Sequence, residues 1–188
     1  MAPLRVKYAG ICARDGPYLC ITGATPMRTP SRYPIIDGHC DTILDAAGLS
    51  VSSGGVGPRN ISERSDKGHL DVPRLLEAGI NAQFFALFTE DRFLSNAAAH
   101  THGLIDLYES ITISSNKLLP SVAASDVDKA MSQSRVASIL AIEGGEAIGD
   151  SLEALRAFYD RGVRLMTLTW NRRNALARGV GVDGTDGL

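Results

Sequence analysis

The sequence predicts an α/β architecture built on a parallel sheet, either an α/β barrel or a doubly wound sheet. Three observations carry that prediction. Four short, almost continuously apolar runs recur along the chain, at 34–36, 80–88, 136–142 and 163–169. Unbroken apolar runs, rather than alternating ones, suit strands covered on both faces, the condition of a parallel sheet flanked by helices. Between these runs lie segments with helical spacing and helix punctuation, and strand followed by helix, repeated, is the signature of βαβ units.

Taken in order, the first run, Pro34-Ile-Ile36, leads into the polar stretch Asp37-Gly-His-Cys-Asp-Thr42. After it, Leu49 to Asp66 is rich in Gly and Ser and reads as a loop. Asp71 is placed to cap a helix over Val72 to Ala78, with Pro73 tolerated in its first turn and Gly79 as its stop. Strand 80–88 follows. Between Phe93 and Ile113, Leu104, Leu107, Tyr108 and Ile111 have the three-four spacing of a buried helical face. Beyond the third run, Asp150-Ser-Leu-Glu153 resembles a capping box with Asp150 as the cap, and Leu152, Leu155 and Phe158 fall on one face before Gly162. The fourth run, Val163 to Thr169, opens into a glycine-rich stretch from Ala175 to Leu188. No internal repeat is visible.

Composition narrows the function classes. A chain of 188 residues with 44% hydrophobic side chains has the bulk for one buried core. Its net charge of −2, with no basic block, offers no general attraction for nucleic acid or an anionic membrane, and a small-molecule substrate fits better. Apolar stretches of membrane-spanning length are missing. Cys12, Cys20 and Cys40 form neither a CxxC nor a disulfide framework, which points to a reducing, cytoplasmic setting. Residues 1–33 hold five Lys or Arg against one acid without the apolar core of a secretion signal, and read as a flexible extension to a domain starting near Tyr33.

Side chains alternate along a strand, so Ile35, Asp37, His39 and Asp41 share one face if the extended run continues, and Cys40 points the other way. His39 and Asp41 then meet one ion, with Asp37 orienting His39 from outside the ligand set; imidazole with carboxylate suits zinc or a similar divalent metal. The alternative is a polar turn at a strand end. Glu143 follows Ile139-Leu-Ala-Ile142 directly, at the carboxyl end of a strand where sites of parallel α/β proteins gather, and Gly144 and Gly145 permit close approach. Glu146, inside the loop, is the weaker candidate. Trp170 and Asn171 leave the last strand at the same end, and Arg172 and Arg173 are either solvated or engaged with a substrate carboxylate. His69, His100 and His102 make poor joint ligands, since a spacing of two does not share a helical face. Phosphate loops, serine elbows and H-E-x-x-H helices are absent from the sequence.

Together, "IIDGHCD", "HLDVPRLLEAGINAQFFALF", "LAIEGGEAI" and "LRAFYDRGVRLMTLTWNRRNALARGVG" resemble the membrane (renal) dipeptidase family of zinc metallopeptidases in its bacterial form, in the family's order and approximate spacing. The resemblance implies an (α/β)8 TIM-like barrel of the amidohydrolase type, with about four of its eight β/α units present here. It also implies two zinc ions at the carboxyl ends of the strands, His39 and Asp41 ligating one and Glu143 bridging both, and a dipeptide as substrate. Many members carry a substrate-contacting histidine where this chain has Trp170, so Trp170, with Asn171, is expected to wall the pocket. The family's two further histidine ligands, its aspartate acid/base and its arginine for the substrate carboxylate come from the second half of the barrel, and no histidine follows His102 here. The expectation is an N-terminal half barrel, inactive alone, with no residue in it assigned as catalytic. Two other readings stand beside it: a non-catalytic half barrel that binds a partner or pairs with itself, and another amidohydrolase-like hydrolase, although those more often open with H-x-H than with H-x-D.

Overall fold

The computed structural model describes residues 33–49 and 57–184, all within the compact unit Tyr33–Leu188. The expected extension at 1–33, apart from Tyr33, and the centre of the expected Gly/Ser-rich loop lie outside the described residues. Among the described residues five strands and five α-helices follow in the order β1 (Ile36–Asp37), α1 (Thr42–Ala47), α2 (Val72–Ala78), β2 (Ala82–Phe88), α3 (Ala97–Ser114), β3 (Leu118–Pro120), α4 (Ala124–Ser132), β4 (Val136–Glu143), α5 (Leu152–Asp160) and β5 (Val163–Met166), alternating after α2. Every strand pairing is parallel. β1 pairs with β2, and the whole of β2 runs along β4, from Ala82 opposite Ala137 to Phe88 opposite Glu143. The other edge of β4 is shared: β3 lies along Val136–Ser138 and β5 along Leu140–Ile142, with a bulge between Leu140 and Ala141.

Alternation along the two central strands divides the core. Phe85 and Leu87 of β2 and Val136, Leu140 and Ile142 of β4 pack with Ile43 and Leu44 of α1, Val72 and Leu75 of α2, Leu104, Ile105 and Tyr108 of α3, and Phe158 of α5. On the opposite face Ala82, Ala137 and Ile139, with Phe84, meet Ala130 and Val127 of α4. β4 is accordingly buried over Val136–Ile142, as its unbroken apolar run implies. Within the larger cluster the Tyr108 hydroxyl lies 2.5 Å from Ser138 Oγ and donates to the Ser138 carbonyl at 3.0 Å. Burial, opposed by the Ser138 contact, pushes that phenol up to about 12, so it stays a donor at any ordinary pH.

Helix α2 forms as its residues dictate. The Asp71 side chain accepts from the Arg74 N–H at 2.9 Å, Pro73 sits in the first turn, and Gly79 closes the helix at φ +75°. Four expectations are corrected. First, α5 is capped by Ser151, whose hydroxyl accepts from the Ala154 N–H at 3.1 Å, and not by Asp150; Leu152 then stands at the first helical position and is 68% exposed, while Phe158 is buried. Second, the first apolar run does not supply a covered strand: β1 is two residues long at the sheet edge, and Ile35 and Ile36 are exposed. Third, β3 has no counterpart among the four runs, because three residues ending in a proline carry no periodic signal. Phe93, expected within the third helix, belongs instead to a 3-10 segment, Asp91–Asn96, ahead of α3. No helix among the described residues is long and apolar enough to cross a membrane.

Candidate metal centre

The carboxyl ends of β1 and β4 meet at one place. After Asp37, opposite Gln83, the chain rejoins β2 when the Cys40 N–H donates to the Phe84 carbonyl at 3.0 Å and the Cys40 carbonyl accepts from Ala86 at 2.8 Å. That pattern sets Cys40 opposite Phe85, so two residues, Gly38 and His39, face the single residue Phe84. This is a bulge, which re-aims side chains and recurs beside functional sites. Asp37 stabilises it: its Oδ1 accepts from the His39 backbone N–H at 3.1 Å. Asp37 therefore touches the backbone of His39 and not the imidazole.

His39 and Asp41 flank Cys40, so their side chains leave on the side opposite to it, while Cys40 packs against the larger core cluster. Burial pushes the Cys40 thiol up to about 11, with Thr42 contacts opposing and the Asp37 and Asp41 charges adding, so it remains a thiol and a poor ligand at neutral pH. The thiol's separation from the site was thus readable from alternation, even though the strand itself does not run through the motif; Asp41 is instead the residue preceding α1.

His39 Nε2 lies 3.6 Å from Asp41 Oδ1 and 3.7 Å from Glu143 Oε2, and ligand atoms of the three residues all lie within 4.8 Å of one another. These separations exceed a hydrogen bond. The two His39 separations are close to the edge of a tetrahedral shell, about 3.4 Å for ligand arms of about 2.1 Å. Asp41 Oδ1 is buried with no hydrogen-bond partner. One imidazole, two carboxylates and an orphaned carboxylate oxygen form a donor set that fits a borderline divalent cation such as zinc. Burial pushes the Glu143 carboxyl up; His39 opposes the shift, and the Asp41 and Glu146 charges reinforce it, so negative charge is crowded where a cation would relieve it.

The neighbouring loops hold Glu143 in place. Gly144, at φ +86° and ψ 139°, occupies backbone space open in practice to glycine alone, and a Cβ there would overlap Glu146 Oε2. Its N–H donates to Thr167 Oγ1 at 2.8 Å and the Gly145 N–H donates to the Leu168 carbonyl at 3.0 Å, tying this turn to the exit of β5. Trp170, 46% exposed, stands edge-on to Phe88 at 5.1 Å, and Phe88 is the register partner of Glu143. For Asn171 the structure shows a backbone carbonyl accepting from Gly181. Arg172 pairs with Glu146 and Asp91 and donates to the Thr89 carbonyl. Sequence reasoning undervalued Glu146 and Arg172 because their partnership spans 26 residues and joins two strand exits. The remaining histidines are elsewhere, His100 stacked on Phe93 and His102 on Phe158.

A donor set that fits a divalent cation stands at the carboxyl ends of parallel strands, beside a glycine turn, which is where the sites of parallel α/β proteins gather. The chain belongs to the membrane dipeptidase family, Peptidase family M19, whose model matches residues 27–187. It is 29% identical over 170 residues to an uncharacterized protein of the PQQ-III 3' region from Acinetobacter calcoaceticus, covering 80% of this chain and 53% of that one. To dipeptidase aclJ of Aspergillus oryzae it is 27% identical over 158 residues, covering 78% of this chain and 37% of the relative. The chain thus spans about half the length, or less, of the curated relatives it matches. Among solved structures, a metallopeptidase from Rhodobacter sphaeroides liganded with a phosphinate mimic of L-Ala-D-Ala superposes with a TM-score of 0.63 at 22% identity, over 74% of this chain and 46% of that one. An amidohydrolase from Pseudomonas aeruginosa gives 0.55 at 15% identity, over 60% of this chain and 33% of that one. These likenesses show the fold, that of TIM-barrel metallopeptidases and amidohydrolases.

Proposed function

We propose that residues 34–188 carry the first part of the zinc centre of a dipeptide-hydrolysing enzyme. The observation that carries the reading is the convergence of His39, Asp41 and Glu143 from two strand exits, with no hydrogen bond between them and an orphaned oxygen on Asp41. His39 offers one ring nitrogen, and Asp41 and Glu143 offer the negative charge that offsets a divalent ion. The family resemblance would make Glu143 the residue shared by two ions, and Asp37 holds the bulge that aims His39. Zinc, when bound, supplies Lewis acidity toward a carbonyl oxygen and makes water acidic enough to serve as nucleophile near neutral pH. Trp170 and Phe88 form an apolar wall beside Glu143, with Asn171 next along the chain. A dipeptide substrate is supported by the family and by the dipeptide mimic bound to the Rhodobacter sphaeroides relative.

Zinc titration by calorimetry tests the metal reading. Binding to the wild-type chain is expected, and His39→Ala or Glu143→Ala should weaken it by more than the roughly 10–100-fold typical of outer-shell changes. Equal affinity in all three proteins would refute the site. Since His39 is the one imidazole at the site and no histidine follows His102, the 188-residue chain is expected to bind zinc without hydrolysing dipeptides. Appreciable turnover of L-Ala-D-Ala by the purified chain would overturn that part. The exposed Ile35 and Ile36 at β1 and Leu165 on β5 favour a second reading, in which a second copy pairs with these sheet edges. A monomer by light scattering at high protein concentration would remove it.

A further inference from the structure

Arg172 lies outside the metal-ligand set, yet it joins the loops that follow three strands. Its Nε donates to Glu146 Oε1 at 3.1 Å, in the loop after β4; Nη1 pairs with Asp91 and Nη2 donates to the Thr89 carbonyl, both in the loop after β2; Arg172 itself follows β5. The guanidinium carbon sits 5.3 Å from the centroid of the Phe88 ring, on the strand end that pairs with Glu143. Glu146 is the buried member of this group, its side chain 6% exposed, and its Oε2 is buried without a partner. That same oxygen occupies the space where a Cβ on Gly144 would lie, so the carboxylate is wedged against the residue immediately after Glu143. Removing one partner of a buried ion pair is costly, and Arg172 is the cation paired with Glu146. The planar fork also suits three acceptors held at once, which a lysine ammonium on a flexible stem does not reproduce.

We propose that Arg172 is a positioning residue for the metal centre: by clamping Glu146 to the loop after β2, it fixes the Gly144–Gly145 turn and hence the direction in which Glu143 leaves β4. Its partners are not the metal ligands themselves, so its influence on a bound ion passes through Glu146. The inference rests on the zinc reading above and adds to it a residue that touches neither metal nor substrate.

The test compares zinc affinity, by competition with a chromophoric chelator, in the wild-type chain, Arg172→Met, the double variant Glu146→Gln/Arg172→Met, and Arg161→Met. Arg161 is the control, a partly exposed arginine bridging Asp106 at 2.8 Å and Glu109 at 2.9 Å away from the site. Cobalt(II) absorption and thermal melts accompany each affinity. Arg172→Met is expected to bind zinc about 10–100-fold more weakly and to alter the cobalt d–d spectrum, with Arg161→Met unchanged on both counts. The double variant, which leaves no uncompensated buried charge, should fold at least as well as Arg172→Met while remaining weakened. A folded Arg172→Met with wild-type affinity and spectrum overturns the proposal, as does an equal loss in Arg161→Met. Where Arg172→Met does not fold, the double variant decides by the same criterion, and failure of both to fold makes Arg172 a residue of the whole fold and equally ends the positioning role. If the wild-type chain binds no zinc, the metal reading itself fails and this inference falls with it; wild-type binding with an unaffected Arg172→Met sinks this inference alone.

Discussion

At the scale of single residues, Asp71 shows how much one buried carboxylate can organise. Fully buried, it accepts from the Arg74 N–H at 2.9 Å, from the Ser65 N–H at 3.1 Å and from Arg74 Nε at 2.7 Å, so it caps α2 and anchors the loop ahead of it. Burial pushes its carboxyl up, but the two N–H donors and the Arg74 guanidinium outweigh that and hold it below the usual carboxylate value. A depressed folded pKa contributes stability that is fully present above the unfolded value, about 3.9, and is lost as pH falls through the folded one. Asp71→Ala should cost about 2–4 kcal/mol in urea unfolding at pH 7, from the lost cap and the stranded Ser65 donor. Asp71→Asn, which keeps a capping oxygen, should flatten the fall in stability below about pH 4; an unchanged acid profile would show that the carboxylate's charge contributes little. The cap was legible because an N-cap is a local pattern. His39, Asp41 and Glu143 were legible for a similar reason, each standing at a strand exit within a short motif. Arg172 was not, since its three partners lie on other segments and a pair of arginines carries no sign of what it will meet.

Elements were read well where periodicity runs long and poorly where it is short. The seven residues of β2 and eight of β4 announce themselves by unbroken apolar character and pair along their full common length. β1 was harder: its two paired residues give way to the Gly38–His39 bulge, and a bulge leaves no mark in composition. Helix α5 shows how one displaced cap changes an energetic expectation. The three-residue spacing groups Leu152 with Leu155 and Phe158, but with Ser151 as the cap Leu152 begins the helix and points to solvent. Phe158→Ala should therefore cost about 3–5 kcal/mol, as for a large core side chain. Leu152→Ala should fall within about 0.5 kcal/mol of wild type. Comparable losses in the two variants, measured by denaturant midpoint at constant m, would show that the apolar stripe of α5 is buried at both ends. The turn after β4 is a third case: its two glycines suggested close approach, Gly144 does occupy glycine-only backbone, and Glu146 of the same loop fills the space beside it.

On the scale of the whole molecule, the site joins parts of the sheet that are very unequally secured. Glu143 ends the most deeply buried strand, whereas His39 and Asp41 follow a two-residue edge strand whose flanking Ile35 and Ile36 are exposed. β4 is separated from β1 in the sheet by β2, so an ion held by all three residues bridges across β2 from the edge to the centre. Zinc binding should then act on global stability and not only on the site. A ligand that binds only the folded state at about 100 times its dissociation constant adds about 2.7 kcal/mol. For a domain of this size that corresponds to a rise in melting temperature of roughly 5–10 °C. Excess EDTA should reverse the rise, and His39→Ala should melt at the same temperature with zinc and without it. The edge and the centre can also be told apart: hydrogen exchange of the Cys40 amide, which bonds to Phe84, should slow on zinc addition by a larger factor than exchange of amides within β4. Equal slowing throughout would mean that β1 opens only with the whole sheet, and that the ion stabilises one cooperative unit rather than pinning an edge to it.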